Sequence, residues 1–256
     1  MTFRFASLGS GSSGNATLVC HGEQCVLIDC GFSAKEARSR CVRIGIDERQ
    51  IAAILVTHEH SDHAKGAAQL AKQLSVPLYC SRGTAMASGF ELSRVHFLRA
   101  EQCETIAGFD VLPVTVPHDA REPTQFIISV SGLKLGVLTD LGSITPHIIA
   151  AYSACDALLV EANHDQHMLA RGPYPISLQR RVGGDWGHLN NQQTLSFLQS
   201  LDLGRMQHLV IAHISQKNNS LACVQTVLAS LLNAPFSCTF ACQHEGVNWL
   251  SIEQRH

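Results

Sequence analysis

An apolar run, Ile51-Ala52-Ala53-Ile54-Leu55-Val56, stops at Thr57-His58-Glu59-His60-Ser61-Asp62-His63. A short aliphatic run closed by polar residues reads as a buried strand that opens into a loop. Histidine is the commonest protein ligand for zinc, and aspartate adds a harder oxygen. His58 and His60 can point the same way, while Asp62 and His63 lie one step further round the turn. That spacing suits two adjacent ions better than one. The alternative is a surface histidine cluster with no ligand role, and the remaining donors of the chain count against it.

Those donors also stand at the ends of strand-like runs. His118 follows Val111–Val116 in Val-Pro-His-Asp, Asp140 ends Lys134–Thr139 in Leu-Thr-Asp-Leu-Gly, and His213 ends His208–Ala212 in Val-Ile-Ala-His-Ile-Ser. Taken singly, His118 or His213 would be an ordinary polar residue. A further strand leads into Leu8-Gly9-Ser10-Gly11-Ser12-Ser13-Gly14-Asn15. Glycine and serine at this density let backbone N–H groups and hydroxyls crowd an anion. Alone this is a flexible turn; beside two metals it becomes a phosphate cradle, with Ser10, Ser12, Ser13 and Asn15 as candidate substrate contacts.

With 256 residues, 45% apolar and 16% charged, the chain suits one well-buried domain over 1–256. Nineteen basic against 21 acidic residues leave a net charge of −2. That excludes a strong global pull on nucleic acid and still admits a local basic patch. No apolar run approaches the ~20 residues that span a membrane. The N-terminus lacks a signal pattern, so a cytoplasmic location is expected. Most of the ten cysteines sit in apolar runs, Cys20 and Cys25 among them, with no Cys-x-x-Cys pair. Free buried thiols are therefore expected rather than disulfides.

Strand-like and helical runs alternate throughout, with no internal repeat. Strands are predicted at Phe3–Leu8, Thr17–Cys20, Cys25–Asp29, Ile51–Val56, Val95–Leu98, Phe109–Val116, Thr124–Val130, Lys134–Thr139, Ala157–Val160 and His208–Ala212, and near Thr239 and Trp249. Ser131-Gly132 signals a hairpin. Helices are predicted at Ser33–Ile44, with Ser33 as its cap, and at His63–Leu74, Pro146–Tyr152, Asn191–Leu201 and Leu221–Leu232. Gln166–Gly187, with its prolines, Gly183-Gly184 and Arg171, Arg180 and Arg181, reads as an irregular functional loop or lid.

The string His-Glu-His-Ser-Asp-His matches the HxHxDH signature of the metallo-β-lactamase superfamily. Its Asp-His ending resembles the hydrolase and nuclease branches, and Asp62 is typical of two-metal members. The resemblance implies a four-layer αββα sandwich, where the strand pattern alone reaches only α/β or α+β. It also implies His58, His60 and His118 on one ion, Asp62, His63 and His213 on the other, and Asp140 bridging. Zinc suits this set, and manganese or iron also tolerate such mixed shells. The implied chemistry is two-metal hydrolysis.

Glu161-Ala162-Asn163-His164-Asp165 and Gly187-His188-Leu189-Asn190-Asn191 resemble elements of tRNase Z-like phosphodiesterases. In those relatives a non-ligand histidine protonates the leaving alkoxide or holds the phosphate, a role carried here to His188 and His164. A helix-capping or supporting histidine remains the alternative for each. Read together, the motifs look like the YycJ (WalJ)-type metallo-hydrolases, a bacterial group regarded as 5′-to-3′ DNA exonucleases. DNA is then the expected partner, and Arg171, Arg180 and Arg181 would neutralise its phosphates unless they form only a solvated face. Too few residues separate Asp140 from His213 for the extra domain of RNase J-like nucleases. No tRNase Z exosite arm or glyoxalase II-type helical domain is recognisable, and a histidine at 60 disfavours the diiron flavoprotein branch. Two rivals remain: a hydrolase of a small phosphodiester or thioester, and a non-enzymatic metal-stabilised binding module. Seven filled ligand positions count against the second.

Overall fold

The computed structural model describes residues 2–254. Its first sheet holds β1 (Phe3–Gly9), β2 (Ala16–His21), β3 (Gln24–Ile28), β4 (Ile51–Leu55), β5 (Leu78–Cys80) and β6 (Val95–Phe97). The second holds β7 (Glu104–Ile106), β8 (Phe109–Thr115), β9 (Thr124–Val130), β10 (Leu133–Leu138), β11 (Ala157–Glu161), β12 (His208–Ala212) and β13 (Ser237–Phe240). The last strand, β14 (Val247–Ile252), returns to the first sheet beside β1.

Alternation along the strands builds three apolar layers. Val26 and Ile28 of β3 and Ala53 and Leu55 of β4 face inward, against Phe126 and Ile128 of β9 and Val210 and Ala212 of β12. Leu18 and Leu27 face outward under the helices Ala34–Arg43 and Ala67–Leu74. Val160 and Ile211 face the opposite way, under Pro146–Tyr152 and Asn191–Ser200. Helix, sheet, sheet, helix is the expected four-layer sandwich.

Both sheets follow one pairing pattern. Three antiparallel pairs lead into three parallel ones, through β14-β1-β2-β3 to β4-β5-β6 and through β7-β8-β9-β10 to β11-β12-β13. The similar strings Val-Leu-Ile-Asp-Cys-Gly (26–31) and Val-Leu-Thr-Asp-Leu-Gly (137–142) sit at the fourth strand of each series. The reading of no internal repeat is corrected here. A repeated topology survives on so short a matching string that periodicity along the chain does not expose it.

Ser33 caps its helix by accepting from the Glu36 N–H, and Ser131 and Gly132 both take positive φ in the hairpin turn. The helix expected over His63–Leu74 breaks into Ser61–Ala64 and Ala67–Leu74. Gly66 lies at the break, its N–H bonded to Cys30 O and its Cα too close to Phe32 O for any side chain. The helix expected over Leu221–Leu232 is likewise divided at Leu228. Within the supposedly irregular stretch, two short helices form at Gln166–Arg171 and Ile176–Val182.

The cysteine expectation is corrected at one pair. Cys20 and Cys25 are joined by a disulfide, directly opposite in the β2–β3 hairpin with Cα atoms 4.1 Å apart. The hairpin register, which cysteine spacing does not display, brings them together. Among the described residues no helix is long and apolar enough to cross a membrane.

Candidate metal centre

His58 and His60 follow β4, Asp62 and His63 lie in the short helix after them, and His118, Asp140 and His213 follow β8, β10 and β12, all on one rim of the sandwich. Asp29 after β3, Asp140 after β10 and His213 after β12 take left-handed φ values of 61°, 56° and 47°. Non-glycine residues in this region are strained, and such strain concentrates at functional sites. Gly31 permits the close packing below: a Cβ there would stand 1.8 Å from Asp62 O.

His58, His60 and His118 converge. His58 Nε2 and His118 Nε2 lie 3.1 and 3.2 Å from His60 Nδ1. The other ring nitrogens are occupied, His118 Nδ1 by Gly187 O at 3.0 Å and His58 Nδ1 by Thr57 Oγ1 at 3.0 Å. A second partner of this kind sets the tautomer and leaves Nε2 for an ion.

His63 is held in the same way, its Nδ1 lying 2.8 Å from Asp29 Oδ2. Its Nε2 stands 3.1 Å from Asp140 Oδ2 and 3.7 Å from Asp62 Oδ2. His213 Nδ1 lies 3.0 Å from Asp140 Oδ2, and its Nε2 lies 3.8 Å from Asp62 Oδ2. Donor atoms of His58, His63 and Asp140 fall within 4.8 Å of one another, as do those of Asp140, Glu161, His188 and His213. Asp140 is common to these two groups, and Asp62 belongs to neither.

Charge supports a cationic occupant. Burial would lower the His63 and His213 pKa values, but the neighbouring carboxylates, Asp140 foremost, hold His63 well above its ordinary value and His213 up to about 10. Burial would raise Asp140 and Glu161, yet the imidazoles beside them hold Asp140 well below the usual carboxylate range and Glu161 down to about 2. Burial dominates for His58 and His118, whose pKa values fall. These buried carboxylates demand positive charge, and the imidazoles beside one set remain neutral ligands. Asp140 Oδ2 and His213 Nδ1 are also buried without a hydrogen bond of good geometry. The donor set fits divalent cations.

His188 and His164 differ in setting. His188 Nδ1 lies 3.1 Å from Glu161 Oε2, and its ring packs edge-on to His118 and His213. Despite burial, Glu161 raises its pKa. His164 is buried, belongs to none of the donor groups, and burial pushes its pKa down to about 4. Asn190 forms a capping box with Gln193 at the head of the next helix.

The serine-glycine turn divides. Ser10 and Asn15 are buried: Ser10 Oγ accepts from the His213 N–H at 2.9 Å, and Asn15 Nδ2 lies 3.1 Å from His63 Nε2. Ser10 thus braces His213, Asn15 lies against the donor nitrogen of His63, and Ser12 and Ser13 face solvent. Arg181 pairs with Asp119, beside His118. Arg171 and Arg180 are exposed and form no ion pair among the described residues.

Glu161 and Asp29 were not singled out as site residues. Both carried a signal. Glu161 ends a buried strand as Asp140 does, and Asp29 occupies in Val-Leu-Ile-Asp-Cys-Gly the place of Asp140 in Val-Leu-Thr-Asp-Leu-Gly.

A two-sheet sandwich with this donor rim defines a class, and a model of the beta-lactamase superfamily domain matches residues 24–214. The chain belongs to the metallo-β-lactamase superfamily, and its His/Asp clusters are typical of that fold's dinuclear metal site. Among its relatives is exodeoxyribonuclease YycJ of Bacillus anthracis, 31% identical over 224 residues, covering 86% of this chain and 85% of the relative. Exodeoxyribonuclease WalJ of Streptococcus pneumoniae is 31% identical over 224 residues, covering 85% and 83%. The metallo-beta-lactamase fold protein YhfI of Bacillus subtilis superimposes with a TM-score of 0.74 at 15% identity, over 97% of this chain and 98% of that one. This chain is therefore a metallo-hydrolase of the fold, related to exodeoxyribonucleases.

Proposed function

We propose that this chain is one catalytic domain over 1–256, a cytoplasmic dinuclear metal-dependent phosphodiesterase that removes nucleotides from the 5′ end of DNA. The observation that carries the reading is its likeness to two exodeoxyribonucleases over more than four-fifths of each chain. In this reading His58, His60 and His118 hold one ion, Asp62, His63 and His213 the other, and Asp140 is shared. Zinc suits the set, with manganese or iron as alternatives. When bound, the ions supply an activated nucleophile from water and offset charge on the phosphoryl oxygens.

The chain's own residues do the rest. His188, oriented by Glu161 at Nδ1, gives the proton on Nε2 to the departing alkoxide, which leaves poorly without one. His164 is a supporting residue: it is buried, lies outside the donor groups, and burial keeps its imidazole in the neutral, weakly acidic form. Asp29 steadies His63 at Nδ1, and Ser10 steadies the His213 backbone. Arg171, Arg180 and Arg181, with Ser12 and Ser13, receive the DNA backbone.

The test is digestion of end-labelled DNA and RNA by purified protein supplied in turn with zinc, manganese and magnesium. Mononucleotide release from DNA is expected, lost in Asp62→Ala and Asp140→Ala. Intact single- and double-stranded ends under every metal would refute the nuclease reading. The near-balanced charge favours a small phosphodiester or thioester instead. Preference for bis(p-nitrophenyl) phosphate over thioesters, with inhibition by DNA, would favour the nuclease over that reading.

A further inference from the structure

Trp186 is an indole 64% exposed in a segment pinned to the metal rim. Its carbonyl accepts from the Asp119 N–H at 2.9 Å, one residue beyond His118. The next residue, Gly187, accepts from His118 Nδ1, and the one after is His188. On its other side, Asp185 O accepts from Ser143 Oγ at 3.1 Å. A Cβ on Gly142 would collide with Asp185 and Gly187, so the two loops interlock. The backbone that carries this large apolar ring is thus fixed beside the donors. Earlier in the same stretch of chain, Arg181 is bound to Asp119, while Arg171 and Arg180 are exposed and form no ion pair among the described residues.

We infer that Trp186 is a stacking platform for the nucleobase of the nucleotide being cleaved. The inference rests on the phosphodiesterase reading and names the substrate feature that the site selects. Bases present a π-face whatever their identity, and an exposed indole on a segment that follows Arg171, Arg180 and Arg181 in the chain suits a base flanked by phosphates. Such stacking accounts for DNA binding by a chain with no overall positive charge. It also favours an unpaired terminal base over a paired one, whose faces are already stacked. Trp186 is a specificity-determining residue that grips the base, while His188 and the donor rim handle the phosphate.

Fluorescence isolates the event, because Trp249 is the only other tryptophan and its Nε1–H bonds to Ile44 O. Metal-loaded protein is titrated with a single-stranded oligonucleotide carrying phosphorothioate linkages at its 5′ end, and with the same strand made abasic there. The emission missing from Trp186→Phe should be quenched by the first strand and not by the second. On cleavable DNA, Trp186→Leu should lose about 5- to 150-fold in kcat/KM, and Trp186→Phe should recover most of it. Equal quenching by the abasic strand, or equal rates in the Leu and Phe variants, overturns the stacking role and leaves the hydrolase reading standing. If wild-type protein cleaves no DNA in a parallel assay, the nuclease reading falls and the stacking role with it.

Discussion

Asp29 lies outside the histidine motif, yet it holds His63 Nδ1 and accepts from both the N–H and the hydroxyl of Thr57. Removing such a partner from a ligating histidine typically costs 10–100-fold in metal affinity. Asp29→Ala should therefore weaken metal binding by about 10- to 100-fold in a chelator competition, and unchanged affinity would dismiss its role. His188→Asn addresses proton delivery. It should slow DNA cleavage by about 10²- to 10⁴-fold and hydrolysis of bis(p-nitrophenyl) phosphate by much less, because p-nitrophenolate departs without a proton. Equal losses on both substrates would assign His188 to phosphate binding. At this scale the sequence was most informative for the four donors between His58 and His63, which are neighbours along the chain. Glu161 was harder to read, since nothing local says that a carboxylate ending one strand meets an imidazole 27 residues later.

Elements were legible where their signal was local. The helix Pro146–Tyr152 and the strand His208–Ala212 have the predicted bounds, the first marked by Thr145 and Pro146 and the second by an unbroken apolar run. Strands β5 and β7, three residues each, are too short to show a period and owe their conformation to their neighbours in the sheet. The helices Gln166–Arg171 and Ile176–Val182 lay hidden between prolines and paired glycines. Gly31 shows how one position between elements sets the site. Gly31→Ala would drive a methyl group into Asp62 O, so it should destabilise the fold by about 3 kcal/mol, seen in the denaturant midpoint, and lower the metal content. A variant with wild-type stability and two bound ions would contradict the packing described.

Across the whole molecule, burial decides which cysteines can react. It pushes the thiols of Cys30, Cys41, Cys80 and Cys155 up to about 12, so near pH 8 they stay protonated and unreactive. In native protein Cys103 and Cys242, the exposed thiols, should react first with a chromogenic disulfide reagent. Unfolding should raise the total to eight, and reduction beforehand to ten. Ten thiols without reductant would disprove the Cys20–Cys25 bond. The chain by itself determined the candidate donors, most of the strand ends that carry them and an α/β or α+β class, because donor type, apolar runs and turn residues are encoded locally. The four layers were implied by the family resemblance. Only the tertiary structure decided that β3, β4, β10, β11 and β12 end on one rim. Only there does Asp140 join two donor groups, His188 meet Glu161, and Cys20 face Cys25. Each depends on register and sheet order, which arise from contacts between distant segments and leave no period in the chain.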